Sequence, residues 1–285
     1  MKTILTLVGG GERDAIVLQT ALAVASPLAA HLDCLHAHVP AVLAAHYARV
    51  EFATPAVLKS VLERLEREGD VFARLATDNV RAFCHGAGIE LCDARADAGC
   101  VTATYREEQS NALERLAAHA GQSDLTVMGR AAQKQGLSPY TLESLVRSCG
   151  RPVLVAASAA PRSFTGTVMV CWKDAAGTAG SVAAAAPLLA AARRVVFVAV
   201  AKRDGGVGDA MRQVAREVGA PDAELRVVPP DRQGVPAALA AAADACDADL
   251  LVMGAYGRSR AREVVFGSCT DAILERIDRP ILLKH

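Results

Sequence analysis

The segment Asp124-Leu125-Thr126-Val127-Met128-Gly129 returns as Asp249-Leu250-Leu251-Val252-Met253-Gly254, and Arg151-Pro152-Val153-Leu154-Val155 returns as Arg279-Pro280-Ile281-Leu282-Leu283. Two motifs repeated in the same order mean that one supersecondary plan is used twice. The first pair is offset by 125 residues and the second by 128, so the N-terminal copy is three residues shorter between its two motifs. The shortening falls in the loop after the Gly129 strand.

Each repeat alternates short apolar runs with stretches of helical periodicity, the pattern of a parallel sheet covered by helices on both faces. The runs predict strands at Thr3–Gly9, Leu32–Val39, Ile89–Ala96, Leu125–Gly129 and Pro152–Ala156 in the first half. In the second half they predict Thr167–Trp172, Arg194–Val200, Glu224–Val228, Leu250–Gly254 and Pro280–Lys284. The expected fold class is α/β, with two tandem open-sheet domains, each a five-stranded parallel α/β sandwich. The polar, proline-containing segment Ser158–Ser163 separates them, giving domains 1–158 and 164–285. The least regular region runs from Pro40 to His85. There Thr54-Pro55 predicts a helix start, with Leu58, Val61, Leu65, Phe72 and Leu75 following at helical spacing.

The loop after the second Val-Met-Gly strand carries the most specific chemistry. Gly254 is followed after two residues by Gly257, and nine residues later come Gly267 and Ser268. Glycine lets the backbone turn with positive φ and brings its N–H groups close to a bulky anion. The helix expected after Gly267 adds free N–H groups and a positive dipole end, and Ser268 can cap that helix or donate to a phosphate.

With this spacing the chain resembles the universal stress protein family, whose ATP-binding members carry Gly, two residues, Gly, nine residues, Gly, then Ser or Thr. The preceding Val-Met and the later Arg279-Pro280 also look like family positions, and the resemblance covers nearly the whole chain. It implies an adenine-nucleotide alpha-hydrolase-like fold and a cleft at the carboxyl ends of the strands that holds ATP with Mg2+. The implied nucleotide contacts are Trp172, Lys173 and Asp174 after the first strand of the second half, Val200 at the end of its second strand, Met253, Gly254, Gly257 and Arg258 in the loop, and Gly267, Ser268 and Cys269 at the helix start. An Asp directly after the first strand is usual in the family. Here Lys173 stands there and Asp174 follows. Trp172 either stacks on a base or fills core. Arg258, Arg260 and Arg262 offer guanidinium groups for phosphate, with Arg258 favoured because it follows Gly257. The resemblance further implies that the final strands, around Val153–Ala156 and Ile281–Lys284, pair edge to edge and make the chain an internal pseudo-dimer. A homodimer of such chains is a further expectation.

The first half departs from the motif. Gly129 is kept, but Ala132 stands at the second glycine and Ser138-Pro139-Tyr140 replaces the Gly-Ser helix start. Proline there removes an N–H that a phosphate would need. The first half is therefore expected not to bind ATP in the family manner. Its early loop, Gly9-Gly10-Gly11-Glu12-Arg13-Asp14, fails the dinucleotide fingerprint, which needs glycine where Asp14 stands. The loop is closer to the Ser-Gly-Gly-x-Asp-Ser of ATP pyrophosphatases, though without the serines; a tight glycine turn is the plainer reading. Cys34, His36 and His38 alternate along a predicted strand and share a face, as metal ligands do, with His31 or His46 as a possible fourth group. No metal site is expected.

The formal net charge is zero, which argues against a general nucleic-acid or membrane-surface partner. No apolar run is long enough to span a bilayer, and the N-terminus lacks the features of a secretory signal, so a cytoplasmic protein is expected. None of the eight cysteines forms a Cys-x-x-Cys pair, which favours buried, reduced thiols. The expected function is an ATP-binding, stress-responsive regulator whose C-terminal half holds the nucleotide. No evident nucleophile or base lies beside the loop, so slow ATP hydrolysis is the most catalysis expected. The alternatives are a non-nucleotide scaffold and an ATP-dependent enzyme of the pyrophosphatase-loop type working through Gly9–Asp14.

Overall fold

The computed structural model describes residues 1–38, 41, 54–94, 99–109, 112–130, 139–161, 163–173, 176–203, 205–255 and 269–285. The chain forms two compact units, Met1–Leu145 and Val146–His285.

In the first unit β1 (Thr3–Leu7) leads into α1 (Asp14–Ala25), β2 (His31–His38) and the long α2 (Pro55–Ala87). Then follow β3 (Glu90–Leu91), β4 (Thr102–Gln109), α3 (Ala112–Gln122) and β5 (Leu125–Met128), and α4 (Pro139–Ser148) carries the chain across the boundary between the units. The sheet order is β3-β4-β2-β1-β5, and the pairings are parallel. Ile4, Leu5, Leu32 and Leu125 on the strands and Leu18, Ala21 and Val24 on α1 are fully buried, forming the layer that holds helix to sheet. Strands enclosed on both faces read as continuous apolar runs, which is why β1 and β5 were legible in the sequence.

Two differences from expectation concern the outer strands. The segment expected as Ile89–Ala96 contributes only the two-residue β3, and an unexpected eight-residue strand, β4, lies beside β2. Among the described residues β3 covers only Thr102 and Ala103 of β4, which leaves the rest of β4 as an edge. Tyr105, Arg106, Glu107 and Glu108 give it the polar character by which a sheet edge avoids pairing with other chains, and the strand carries no hydrophobic alternation to reveal it.

Helix α2 begins as its sequence predicts, with Thr54 in extended conformation at the N-cap and Pro55 in the first turn. It ends at Gly88, whose positive φ of 65° lets its N–H and that of Ile89 turn back onto the last carbonyls. Leu58, Val61, Leu65 and Phe72 are half-buried and Leu75 is exposed. Full burial falls on Ala76, Val80 and Cys84 in the C-terminal half of the helix.

The second unit follows the expected strands closely. Strand β6 (Val153–Val155) precedes β7 (Thr167–Trp172), α5 (Ala176–Ala191), β8 (Arg194–Val200), α6 (Val207–Glu217) and β9 (Glu224–Val228). The chain ends with α7 (Val235–Ala245), β10 (Leu250–Gly254), α8 (Cys269–Arg276) and β11 (Ile281–Lys284). The order is β6-β11-β10-β7-β8-β9. All pairings are parallel except β6 with β11, where Val155, Leu154 and Val153 oppose Ile281, Leu282 and Leu283. The expected pairing of the two final strands is thus present, and it makes the sheet mixed. Strand β6, read from sequence as the last strand of the first half, packs with the second unit.

The repeat is visible at the level of single hydrogen bonds. Asp124 Oδ2 accepts the Lys2 and Thr3 N–H groups at 2.6 and 3.1 Å, and Asp249 Oδ2 accepts the Thr167 N–H at 2.7 Å. In both copies the aspartate that opens the Val-Met-Gly strand therefore fixes the start of the neighbouring first strand. The backbones answer in the same way, Asp124 N–H to Thr3 O and Asp249 N–H to Thr167 O.

All eight cysteines are free, five of them buried, with Cys92 partly covered and Cys100 and Cys269 exposed. Among the described residues no helix is long and apolar enough to cross a membrane.

Candidate functional site

In the second unit the chain builds outward from β7 through β8 to β9 and then returns to place β10 on the other side of β7. The order of strands therefore reverses between β7 and β10. Loops leaving such neighbours run in opposite directions and open a crevice at the carboxyl ends of the strands, where open α/β sheets hold their ligands.

Register decides which residues meet there. Cys171 pairs with Met253 across β7 and β10, and Trp172 pairs with Ala199 on the other flank, one residue before Val200. Gly254 ends β10 and Lys173 leaves β7 into solvent. Of the residues predicted for the site, the structure brings Trp172, Lys173, Val200, Met253 and Gly254 to one end of the sheet. Cys269 opens α8 and is exposed. Asp174, Gly257, Arg258, Gly267 and Ser268 lie outside the described residues, as do Arg260 and Arg262.

Trp172 is buried, with 7% of its surface exposed, and its ring meets Phe197 of β8 with centroids 6.2 Å apart at 52°. Phe197 was not singled out in the sequence, since it is one of a run of apolar β8 residues. The contact settles where the indole body sits: it is packed side by side with core. Its Nε1–H, however, is buried with no hydrogen-bond partner. Next to it, burial pushes the Cys171 thiol up to about 12, with Cys269 and Cys246 adding to the shift, so this sulfur is protonated at neutral pH and unsuited to act as a nucleophile.

In the first unit the loop after β1, the counterpart of the loop after β7, is held by the chain's own side chains. Asp14, 4% exposed, accepts the Gly9 and Gly10 N–H groups on Oδ1 and Oδ2 at 2.8 Å each. Asn79 of α2 donates its amide to Oδ2 at 3.2 Å and also reaches the Gly11 carbonyl at 3.4 Å. Gly10 has φ +79°, and a Cβ there would stand 2.1 Å from the Phe72 carbonyl oxygen of α2. The backbone N–H groups that a phosphate would need are thus bound to the chain's own carboxylate, and α2 lies against the loop. This supports the glycine-turn reading of Gly9–Asp14 over the pyrophosphatase-loop reading. Asn79 gave a faint sequence signal, being a polar residue beside Val80 on the helix face that packs inward. Pro139 opens α4, as its sequence suggests, and leaves that helix start one N–H short.

Of the alternating Cys34, His36 and His38 of β2, the side chains of the first two are described. His36 Nδ1 lies 3.0 Å from the Val8 carbonyl oxygen, and burial holds the Cys34 thiol far above its usual range. Both ring nitrogens of His31 are engaged by Thr102 and Thr104. The side chain of His38 and the whole of His46 lie outside the described residues. Among the described residues no group of three or more His, Cys, Asp or Glu side chains is placed to hold a metal ion.

The model of the universal stress protein family matches residues 181–285, from within α5 to the C-terminus. No curated protein matches the chain in sequence. Among solved structures, a universal stress protein from Archaeoglobus fulgidus DSM 4304 superposes with a TM-score of 0.65 at 13% identity, covering 99% of this chain and 95% of that one. A candidate universal stress protein from Pseudomonas aeruginosa UCBPP-PA14 gives 0.57 at 15% identity, covering 100% and 93%. A functionally unknown protein from Pseudomonas aeruginosa PAO1 also gives 0.57 at 15%, covering 100% and 92%. At such identities the likeness is one of fold, and it extends over both units. The whole chain has the universal stress protein fold, used twice.

Proposed function

We propose that this chain is a universal stress protein, a regulator that binds an adenine nucleotide, ATP with Mg2+, in the domain read at 164–285, while its first domain, 1–158, keeps the fold without the nucleotide. The observation that carries this reading is the register at the reversal of strand order: Trp172 on β7 and Met253-Gly254 on β10 end side by side. The Gly254, Gly257, Gly267, Ser268 series starts from that point. In this reading the glycine N–H groups and the first turn of α8 face the phosphates, Arg258 adds a guanidinium, and Lys173, Asp174 and Val200 border the nucleoside. A ligand bound by the folded state alone raises its stability by mass action, which gives nucleotide level a direct influence on the protein. Slow hydrolysis is the most catalysis the arrangement supports, and the Cys171 thiol is no nucleophile for it. The setting is cytoplasmic, without nucleic acid or membrane as partner, and association into homodimers completes the reading.

The test is Gly267→Val. A β-branched side chain at that position removes the close approach of backbone to phosphate, so ATP affinity is expected to fall at least about a hundredfold, of the order of the 2.7 kcal/mol linked to such a ratio. Circular dichroism should remain that of the wild type. A folded Gly267→Val protein that binds ATP normally contradicts the assigned loop.

A further inference from the structure

Strand β9 closes one end of the strand order in the second unit, and among the described residues it pairs only with β8. The Ala201 N–H bonds to the Val228 carbonyl, so Val228, Arg226 and Glu224 turn their backbone groups towards β8. By the alternation of a strand, Leu225 and Val227 turn theirs outward, and the planar peptide before Glu224 carries the Ala223 carbonyl outward with them. Every residue of β9 is half-buried, and Leu225, Val227 and Val228 are apolar. The edge of β4 is guarded along its length by charged side chains. Strand β9 is guarded instead at its ends, by Pro221 before it and Pro229-Pro230 after it.

We propose that two copies of this chain associate through β9, each strand pairing antiparallel with β9 of the other across a two-fold axis at Leu225. This rests on the homodimer reading above, adds to it the surface where the copies meet, and needs no nucleotide. A two-fold contact between identical edge strands is necessarily antiparallel. Leu225 lies midway between Pro221 and Pro229, so an axis there sets the whole proline-free stretch of one copy against that of the other. Leu225 then exchanges its N–H and carbonyl with Leu225 of the partner subunit, and the Val227 N–H donates to the carbonyl of Ala223 of the partner subunit. Glu224 comes opposite Arg226 of the partner subunit, in a non-hydrogen-bonded pair where side chains approach most closely. Arg226 spends only its Nε–H on Glu224 of its own strand, at 2.6 Å, which leaves its terminal nitrogens for that carboxylate. An axis at Glu224 or at Arg226 would set like charges directly opposite, which is unfavourable. Length, backbone polarity and charge therefore select the same register.

Sedimentation velocity of the full chain over a concentration series, wild type beside Val227→Pro, tests the contact. The Val227 N–H points away from β8, so proline there spares the ladder, an edge position that tolerates it. The dimer dissociation constant is expected to rise at least about tenfold, since each half of the contact loses a hydrogen bond. A second measurement does not depend on how the strand accommodates proline. With Cys92, Cys100 and Cys269 replaced by serine, Leu225→Cys is expected to form a covalent dimer in oxidised glutathione, because Cα atoms of a hydrogen-bonded antiparallel pair lie about 5.5 Å apart, within disulfide reach. Val227→Cys, which faces Ala223 of the partner subunit, should form none. A wild-type dimer that Val227→Pro leaves unchanged, with no covalent dimer from Leu225→Cys, overturns the β9 contact while the homodimer reading stands. A wild type that stays monomeric throughout the series overturns both.

Discussion

Replacing Asp14 with alanine is expected to lower the stability of the first unit by about 4 kcal/mol, since it strands the Gly9 and Gly10 N–H groups that the carboxylate now accepts. Each buried donor left without a partner costs about 1–3 kcal/mol, and the Asn79 amide loses its acceptor as well. Urea unfolding followed by circular dichroism measures the loss. Trp172 is the sole tryptophan and lies in the second unit, so its fluorescence reports that unit separately. A loss below about 1 kcal/mol would mean that the carboxylate does not hold the loop. Asp14→Asn retains one acceptor oxygen but turns an amide donor towards a backbone N–H, and it should fall between the wild type and alanine.

Substituting Gly10 with alanine attacks the same loop from its other side. The new methyl group would stand 2.1 Å from the Phe72 carbonyl oxygen, a backbone atom that cannot rotate away, in a residue already at φ +79°. Gly219 provides the control, because it has the same φ of +79° and nothing within 4 Å of the added Cβ. Gly219→Ala therefore carries only the left-handed backbone penalty, about 1–2 kcal/mol. Gly10→Ala should cost about 2–3 kcal/mol more than that control, the expense of overpacking α2 against the loop. Equal losses for the two variants would show that α2 does not press on the glycine turn.

The second unit was almost fully legible because its strands β7, β8, β10 and β11 are buried on both faces and appear as unbroken runs such as Val-Met-Val-Cys-Trp and Leu-Leu-Val-Met-Gly. Strand β4 escaped because its exposed stretch has to be polar at a sheet edge, so the physics that makes it safe also hides it. The pairing of β6 with β11 followed from the resemblance to the universal stress protein family, but its antiparallel sense did not. Spacing alone would have left Val153–Val155 with the first half, since sequence separation says nothing of which edge a strand joins. In the site, the strand-end residues Trp172, Met253 and Gly254 were found because they end apolar runs. Phe197 and Asn79 were missed because the first looks like any core residue and the second acts through a loop 65 residues away in sequence.

One principle bears on both glycine-rich loops of the chain. A cluster of backbone N–H groups attracts an anion, and at Gly9–Gly10 the chain supplies its own in Asp14, whereas the sequence after Gly254 combines glycines with Arg258, Arg260 and Arg262. In the proposed reading the loop after β1 is closed by the chain's own carboxylate, and the nucleotide is held by the second copy.

The most direct measurement of that asymmetry is the stoichiometry of Mg-ATP binding to the nucleotide-stripped full chain by titration calorimetry. The account predicts about one site per chain, lost in Gly267→Val and kept in Gly219→Ala. Two sites per chain, or one that survives Gly267→Val, would contradict it.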